Sequence, residues 1–330
     1  MSDPEPLKIG VLGAARIVPM ALVRPAREVP GVRVLAVAAR EAARARAFAR
    51  KHGIPRVHPT YAALLSDPEI DAIYNPLPNS LHCEWSIRAL QAGKHVLCEK
   101  PIASNADEAE RMAKAAAEAG RLLVEAFHYR YHPLAARMEE IVRSGELGRI
   151  EHIEASLCFP LARPGDIRYR HDLAGGATMD AGCYVINILR FLAGAEPEVT
   201  WAKARLSSPE VDRRMDAEFR FADGRTAKIT CSLFSTSLLR LSARVRGDRA
   251  EMRVFNPIAP HLFHRLAVRG SQGRRVERVR GDATYTHQLR AFLSAIRAGT
   301  AVPTSAQDAI ANMRVIDAVY EKAGLRPRGS

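Results

Sequence analysis

The feature that most limits the fold of this chain is the alternation of short apolar runs with helical patterns over roughly its first third. The helical segments include HCEWSIRALQAG and ADEAERMAKAAAEAG, which end at Gly93 and Gly120. Strand and helix in alternation predict right-handed β-α-β units and a doubly wound parallel sheet. The runs that have the length and composition of buried strands are KIGVLG, VRVLAVAA, IDAIYNP, HVLCE and LLVEA.

After about residue 126 the pattern changes to longer strands joined by short turns such as ADG at 222–224. Such turns predict an antiparallel sheet with helices on one face. We therefore predict an α/β N-terminal domain over residues 1–126 and an α+β C-terminal domain with an open, mainly antiparallel sheet over 127–330. The elements predicted in this second half are helices at 133–148, 178–194, 284–298 and 305–323, and strands at 150–159, 199–206, 215–221, 226–234, 238–248 and 250–255.

Composition excludes several classes of protein. With 47% hydrophobic and 26% charged residues, the chain has the balance of a globular protein, and no apolar run approaches the ~20 residues of a membrane span. The start, MSDPEPLKIGVLG, lacks the features of a secretion signal. Five scattered cysteines without a C-x-x-C pair favour a reducing compartment and argue against zinc. The net charge of +13 is spread along the chain. We expect a cytoplasmic protein without a metal, a nucleic-acid partner or a membrane partner.

The first predicted strand runs into the sequence GAARIVPMAL, where a dinucleotide-binding turn would lie. Such a turn needs a close backbone approach to the pyrophosphate and a helix N-terminus that faces it. Against the G-x-G-x-x-G pattern only Gly13 is present, with Ala15 and Val18 at the other two glycine positions. An ordinary strand-to-helix turn is the alternative, but the flanking strand and helix favour the dinucleotide site.

The second predicted strand ends in VAARE, which places Ala39 and Arg40 where an acidic residue would hold the adenosine ribose. A guanidinium can pair with a 2′-phosphate, so we expect NADP in preference to NAD. Glu41 is the competing residue, because a shift of one position would put a carboxylate there. Alternatively, Arg40 is an exposed residue at the start of a helix and binds no cofactor.

Ligands of an open parallel sheet bind outside the carboxyl ends of its strands. The predicted strands IDAIYNP and HVLCE run into the loops NPLPNSLH and CEKP, and the second of these loops puts an ammonium group, that of Lys100, directly after a buried strand. The candidate cofactor-binding residues at these strand ends are Gly13, Ala15, Arg16, Ile17, Ala39, Arg40, Asn75, Pro76, Leu77, Asn79, His82, Glu99 and Lys100.

The degenerate glycine turn, the proline-containing loop, E-K-P and the later motif GGATMDAGCY occur in an order that resembles the Gfo/Idh/MocA oxidoreductases over nearly the whole chain. This resemblance implies a Rossmann domain followed by a substrate-binding and oligomerisation domain. It also implies a tightly bound nicotinamide dinucleotide and sugars or related polyols as substrates. Because an open sheet would leave apolar surface in water, we expect a homodimer or homotetramer that associates through the C-terminal sheet.

In that family the lysine of E-K-P is the catalytic residue beside the nicotinamide, which the resemblance maps onto Lys100. Its Glu99 neighbour is expected to orient the loop or touch the cofactor, and a cis bond before Pro101 is frequent in the family. Where many members have histidine after D-x-G-x, this chain has Tyr184. Asp180 and Tyr184 are four residues apart, so a helix would place both on one face.

The tyrosine form of the motif resembles glucose/fructose oxidoreductase, the dimeric dihydrodiol dehydrogenases and the xylose dehydrogenases. The resemblance implies that the tyrosine transfers the proton and that NADP is the usual cofactor. A nearby ammonium stabilises a phenolate, so Lys100 and Tyr184 are expected to form an acid/base pair. Asp180 would accept from a substrate hydroxyl or support Lys100. Three further candidates for substrate contact, each with a packing or surface role as the alternative, are Tyr129, Arg130 and Arg168.

These observations predict an NADP-dependent dehydrogenase or reductase that acts on a CH–OH group of a sugar or polyol. One enzymatic alternative is a cofactor that never leaves, which would allow sugar–sugar oxidoreduction or a redox-neutral epimerisation or hydrolysis. A non-catalytic dinucleotide sensor is the alternative from another class, and the presence of Lys100, Asp180 and Tyr184 disfavours it. A nucleic-acid binder is the third alternative.

Overall fold

A computed structural model describes residues 5–161, 163, 165–235, 239–271 and 273–330. The chain forms two compact units. The first comprises Met1–Ala103, Asp107–His128 and Tyr285–Ala309, and the second comprises Ser104–Ala106, Tyr129–Thr284 and Ile310–Ser330. The predicted 284–298 helix thus belongs mostly to the first unit, while the division of the domains after residue 126 stays a prediction.

The first unit contains a parallel sheet, as the alternation of strands and helices predicted, and its six strands include one short strand, β3, that the sequence analysis missed. Its order is β3-β2-β1-β4-β5-β6, so the chain reverses direction across the sheet beside β1. Ligands of such a sheet bind at this reversal, outside the carboxyl ends of the strands. The strands are β1 Leu7–Leu12, β2 Val32–Ala38, β3 Arg56–His58, β4 Ala72–Asn75, β5 His95–Cys98 and β6 Leu123–Glu125.

The predicted helices are present, although the helix predicted over 133–148 ends at Arg143, and irregular turns precede α1 and α7. In each case a π-helical turn, Pro19–Val23 or Thr178–Gly182, precedes the regular helix. The helices are α1 Arg24–Glu28, α2 Ala42–His52, α3 Tyr61–Leu65, α4 His82–Gln91, α5 Ala106–Ala119, α6 Pro133–Arg143, α7 Cys183–Ala193, α8 Thr284–Ala298 and α9 Ala306–Lys322.

The apolar core of the first unit forms around the central strands. Ile9 and Val11 of β1 are fully buried, as an interior parallel strand covered on both faces requires. Helix α8 returns to this core from the far end of the chain and contributes Tyr285, Leu289 and Phe292. A helix that begins 159 residues after the last strand of the sheet therefore contributes to the core of the first unit, which the local sequence pattern does not reveal.

The second unit contains an eight-stranded sheet of order β14-β13-β12-β11-β7-β10-β9-β8. Among the described strands of this sheet, only β7 and β10 pair in parallel, so the predicted open and mainly antiparallel sheet is confirmed. The first residue of the strand predicted at 238–248 lies outside the described residues. The strands are β7 Ile150–Cys158, β8 Glu198–Ser208, β9 Val211–Arg220, β10 Thr226–Ser232, β11 Arg240–Gly247, β12 Ala250–Phe255, β13 Arg265–Gly270 and β14 Gly273–Glu277.

The two faces of this second sheet differ in chemistry. Its inner face carries buried apolar side chains such as those of Ile153 and Ile229, and α7 packs on β7 and β10. The outer face, which was expected to be apolar, carries charged as well as apolar side chains. Charged side chains pair across its strands, for example Arg244 with Glu154 and Glu251. Exposed apolar side chains on the outer face include those of Trp201, Phe255 and Val276.

All five cysteines are buried and none forms a disulfide. Within the described residues, no helix has both the length and the apolar character that crossing a membrane requires.

Candidate active site

The turn after β1 has the shape of a dinucleotide-binding turn although it keeps one glycine. Gly13 has φ +85°, and its amide donates to the Ala38 carbonyl at the end of β2 at 2.7 Å. A Cβ at this position would lie 3.1 Å from Leu77 Cδ2 and 3.8 Å from the Tyr61 hydroxyl. Positive φ and a close neighbour both require glycine here. The turn is a narrow cradle of the kind that a pyrophosphate needs, so the residues present fit the predicted group.

The end of β2 is basic. Ala39 is buried, whereas Arg40 and Glu41 are exposed at the start of α2. Arg44, one helical turn further on, donates to the Ala14 carbonyl of the glycine turn at 3.2 Å. Burial raises the pKa of the Tyr61 hydroxyl, and the nearby charges of Arg40 and Arg44 act in the opposite direction. Two guanidinium groups therefore lie near the turn. The i, i+4 spacing of Arg40 and Arg44 was the signal in the sequence that could have revealed the second.

The loop after β4 is held by the side chain of Asn75, the last residue of that strand. Its amide nitrogen donates to Ser86 Oγ at 3.0 Å and to the His82 carbonyl at 3.3 Å. Its oxygen accepts from the Leu77 amide at 3.3 Å. Asn75 is fully buried, so its side chain shapes the loop from inside, and Pro76 and Leu77 are held in place as a consequence.

His82 connects this loop to the E-K-P loop. Its ring nitrogens lie 2.7 Å from the Leu77 carbonyl and 2.8 Å from the Pro101 carbonyl. Burial lowers the pKa of His82 to about 4, against the opposing effect of the two carbonyls. Because both nitrogens lie within hydrogen-bond distance of backbone carbonyls, the ring connects the two loops, and its contact with a cofactor stays a prediction. Asn79 lies in a short 3₁₀ turn, Asn79–Leu81, just before α4.

The E-K-P loop follows β5 at the same edge of the sheet. The Glu99 amide donates to the Asn75 carbonyl at 3.0 Å, and the Glu99 carboxylate accepts from the Tyr74 hydroxyl at 2.6 Å. Lys100 is half-buried and its bond to Pro101 is cis, as the resemblance implied. The ammonium group therefore follows a buried strand at the edge where the Gly13 turn also lies.

Glu125, at the end of β6, supports the E-K-P loop and was missed by the sequence analysis. It is fully buried, and its carboxylate accepts from the Ile102 amide at 2.9 Å. A buried carboxylate that binds a backbone amide fixes the path of the chain directly after Pro101. The sequence signal was an acidic residue at the end of an otherwise apolar strand.

In the second unit, Asp180 forms an ion pair with Arg168. Arg168 Nε lies 2.8 Å from Asp180 Oδ2, and its Nη1 lies 3.1 Å from Asp166 Oδ1. Burial disfavours the Arg168 cation, but the charges of Asp180 and Asp166 outweigh that effect and raise its pKa. The structure therefore brings together two residues that the sequence proposed separately for the substrate site.

Asp180 lies in the π-helical turn that leads into α7, and Tyr184 lies at the second residue of that helix. The prediction of one regular helix over 178–194 is corrected to this extent. Close packing accompanies the irregularity, since a Cβ at Gly182 would lie 3.2 Å from Cys231 Sγ and from Thr178 Cγ2. π-Helical turns of this kind occur frequently at functional sites.

Tyr184 is buried and packs near Tyr129, with ring centroids 6.2 Å apart. The Tyr129 hydroxyl donates to Asn187 Oδ1 at 2.6 Å, so Asn187 is another residue of this region that the sequence analysis missed. The Arg130 guanidinium lies 4.1 Å from the centroid of the Phe191 ring. Tyr129 and Arg130 thus both contact α7.

Comparisons with known proteins identify the family of this chain. The family described as "Oxidoreductase family, NAD-binding Rossmann fold" matches residues 7–127, and the "GFO/IDH/MocA C-terminal domain" matches residues 135–253. Fold and site together define an oxidoreductase with a Rossmann nicotinamide-dinucleotide domain. The chain belongs to the Gfo/Idh/MocA family, which confirms the resemblance seen in the sequence.

The curated relatives include sugar-modifying oxidoreductases. D-xylose 1-dehydrogenase (NADP(+)) 2 of Haloferax volcanii is 34% identical over 319 residues, covering 96% of this chain and 97% of that protein. A solved 3-ketoreductase of Actinomadura kijaniata, in complex with NADP and TDP-benzene, is 30% identical with a TM-score of 0.90, covering 98% of both chains. An aldose-aldose oxidoreductase of Caulobacter crescentus, complexed with glycerol, is 25% identical with a TM-score of 0.89, covering 97% of this chain and 98% of that one.

Proposed function

We propose that this protein is an NADP-dependent dehydrogenase or reductase acting on a CH–OH or ketone carbon of a sugar or related polyol. The observation that carries the proposal is the position of Lys100. It follows β5 at the sheet edge where the Gly13 turn fits a dinucleotide, and the connection through His82 ties its loop to the loop after β4. The xylose dehydrogenase and the 3-ketoreductase among the relatives support sugars as the substrate class.

The cofactor would lie along the carboxyl edge of the first sheet, against Gly13, Ala15, Arg16 and Ile17. When bound, the nicotinamide supplies hydride transfer to or from the substrate carbon. Arg40 is placed to pair with a 2′-phosphate, and Arg44 adds a second positive charge near the same turn. The basic end of β2 favours NADP over NAD, and so does the similarity to an NADP(+) xylose dehydrogenase and to a 3-ketoreductase solved with NADP.

Lys100 and Tyr184 are the proposed proton-transfer pair. The ammonium of Lys100 donates a hydrogen bond to the reacting oxygen and favours the ionised form of Tyr184. In the oxidative direction, Tyr184 then receives the hydroxyl proton, and in the reductive direction it returns one. Asp180, oriented by its ion pair with Arg168, accepts a hydrogen bond from a further substrate hydroxyl.

Several other predicted site residues have supporting roles in this proposal. Asn75 and His82 fix the loops that carry Leu77 and Lys100, and Glu99 holds the E-K-P loop against Tyr74. Tyr129 supports α7 near Tyr184, together with Asn187. These residues act on the site through the backbone or the helix that they position.

A panel of aldoses, polyols and glycosides assayed with NADP and with NAD tests the proposal. We expect a sugar or polyol to be turned over with NADP preferred, measured by dinucleotide absorbance. Turnover with neither cofactor on any of these classes, by protein that binds NADP, would favour the sensor alternative. Cofactor that remains bound through purification and appears in the supernatant only after denaturation would favour the sugar–sugar or redox-neutral alternatives.

We further propose that the protein works in the cytoplasm as a homodimer or homotetramer that associates through the outer face of the second sheet. The exposed side chains of Trp201 and Phe255 on this face support the contact, and the cross-strand ion pairs around Arg244 would lie within it. Light scattering of wild type and Trp201→Asp tests the assembly, because a charge placed in the contact should lower the measured mass. No nucleic-acid partner is proposed, since the positive charge is spread along the chain.

A further inference from the structure

The carboxyl-terminal tail of the chain carries a fully buried arginine. Arg328 has no exposed surface and forms an ion pair with Asp212, which is buried equally deeply, at 3.1 Å. Its guanidinium stacks over the Tyr320 ring at 4.2 Å, and its Nε donates to the Gly175 carbonyl at 2.9 Å. Charges are almost never fully buried without strong partners, so this position is held by several specific contacts.

Asp212 accepts four hydrogen bonds, two at each carboxylate oxygen. Oδ1 accepts from Arg328 and from the Tyr320 hydroxyl at 2.9 Å. Oδ2 accepts from the Thr178 amide and from the Thr178 hydroxyl, both at 2.7 Å. The carboxylate therefore links the tail to the first residue of the π-helical turn that carries Asp180.

The glycine pair before this turn leaves no space for any other residue. Gly176 has φ +138°, and a Cβ there would lie 2.1 Å from Asp212 Oδ1 and 2.8 Å from the Tyr320 hydroxyl. A Cβ at Gly175 would lie 2.7 Å from the carbonyl oxygens of Arg168 and Arg170. The backbone must approach the buried carboxylate this closely for the network to form.

Through its backbone, the glycine pair holds both members of the ion pair at the substrate site. The Gly176 amide donates to the Arg168 carbonyl at 2.8 Å, and the Asp180 amide donates to the Gly176 carbonyl at 3.0 Å. Arg328 in turn holds the carbonyl of Gly175. A displacement of the glycine pair would therefore move Arg168 and Asp180 relative to one another.

We propose that Arg328 is a positioning residue of the substrate site. Together with Asp212 it fixes the Gly175–Gly176 turn, and thereby the Arg168–Asp180 pair and the start of α7. The catalytic consequence rests on the proposed function, whereas the structural consequence does not. The last residues of the chain thus set the geometry of a site that lies about 150 positions earlier in the sequence.

The test compares Arg328→Lys with Arg326→Met as the matched control. Lysine keeps the charge but cannot bind Asp212 and the Gly175 carbonyl while also stacking on Tyr320. Arg326 lies on the same tail and forms an exposed bidentate pair with Glu210, so its loss should leave the site unchanged. Hydrogen exchange of the peptide over 174–184 is measured in each variant and in wild type. We expect about tenfold faster exchange there in Arg328→Lys and little change in Arg326→Met.

The catalytic arm uses the sugar found to be turned over by wild type. For Arg328→Lys we expect kcat/KM for the sugar to fall about tenfold while the dissociation constant for NADP changes less than about twofold. Thr178→Val removes the hydroxyl that donates to the other carboxylate oxygen, Oδ2, of Asp212. It should lower kcat/KM for the sugar by a smaller factor while the dissociation constant for NADP again changes little. This variant tests the role if Arg328→Lys does not fold.

Unchanged exchange over 174–184 in folded Arg328→Lys, or in folded Thr178→Val if Arg328→Lys does not fold, would overturn the positioning role. Equal losses of sugar and NADP affinity would also overturn it, because they indicate general destabilisation. If wild type turns over no sugar, the proposed function fails, and the exchange measurement still decides the role of Arg328.

Discussion

The two units hold their site residues by different physical means. In the first unit, the loops around Lys100 are tied mainly by contacts to backbone, and the connection from His82 to Pro101 spans 19 residues of sequence. In the second, the segment that carries Asp180 is held by a buried network of charged and polar side chains, in which Asp212 and Arg328 are 116 residues apart. The proposed dinucleotide edge, at the carboxyl ends of the first sheet, thus depends on local motifs, whereas the proposed substrate edge, around Asp180, depends on ion pairs between residues far apart in the chain.

The two edges should differ in how well they tolerate substitutions. In the first unit, the turn after β1 keeps its backbone hydrogen bond from Gly13 to Ala38 although Ala15 and Val18 stand at the other two glycine positions of the pattern. A buried carboxylate with four donors tolerates no such change, because removing one charged partner leaves the other buried without compensation. Substitutions at the two edges should therefore separate cofactor binding from substrate turnover.

The largest effect is expected for Lys100→Met at the dinucleotide edge. Removing the ammonium eliminates a hydrogen-bond donor to the reacting oxygen, and kcat should fall about 10³-fold. Binding of NADP, followed by fluorescence titration, should change little because the turn at Gly13 is untouched. Lys114→Met, at an exposed position on α5, is the matched control. A kcat within about threefold of wild type would show that Lys100 has no catalytic role.

Arg40→Asp should reverse the cofactor preference without harming the substrate edge. A carboxylate repels a 2′-phosphate and can accept from the ribose hydroxyls, so the ratio of kcat/KM with NADP to that with NAD should fall about 100-fold. Steady-state kinetics with both cofactors at a fixed sugar concentration measure it. An unchanged ratio would show that the residues that select between NADP and NAD do not lie at the end of β2.

His82 makes the stability of the first unit depend on pH. An exposed imidazole has a pKa of about 6.5, whereas burial lowers the pKa of His82 to about 4. As the pH falls below about 6.5, the unfolded chain gains a proton that the folded protein does not accept until about pH 4. The free energy of unfolding, relative to that of His82→Gln, should therefore decrease by about 2 kcal/mol from pH 7 to pH 5.

Urea unfolding of wild type and His82→Gln at both pH values measures this difference. Changes in other titrating groups cancel between the two proteins. An equal pH dependence in both would mean that His82 is charged in the folded protein, bound by both carbonyls.

The smallest effect is expected for Arg44→Ala. Its guanidinium is exposed and already engaged with the Ala14 carbonyl, so the KM for NADP should rise about fivefold while the KM for NAD stays unchanged. Arg46→Ala, an exposed arginine on the same helix, is the control. Equal changes in KM for both cofactors would mean that Arg44 supports the conformation of the turn and does not bind the 2′-phosphate.

Much of the fold could be predicted because its signals are local. Gly13, the E-K-P loop and the alternation of strands and helices each occupy a short stretch of sequence, and the sheet order follows from them. The return of α8 to the first unit, the π-helical turn before Cys183 and the charged outer face of the second sheet could not be predicted in this way. Each depends on contacts between segments far apart in the chain.

The candidate site shows the same division. Lys100, Asp180 and Tyr184 belong to motifs, so the sequence identifies them as candidates. Asp212 and Arg328 have no motif around them, and an arginine two residues before the end of an arginine-rich sequence gives no sign that it is buried. Their importance follows only from the hydrogen bonds that the folded second unit makes.

The proton-transfer role of Tyr184 is the central claim, and Tyr184→Phe tests it most directly. The substitution removes one hydroxyl and keeps the buried ring near Tyr129. With a sugar that wild type turns over and saturating NADP, kcat should fall about 100-fold while the dissociation constant for NADP is unchanged. Near wild-type turnover by Tyr184→Phe would contradict the assignment and transfer the proton step to another group.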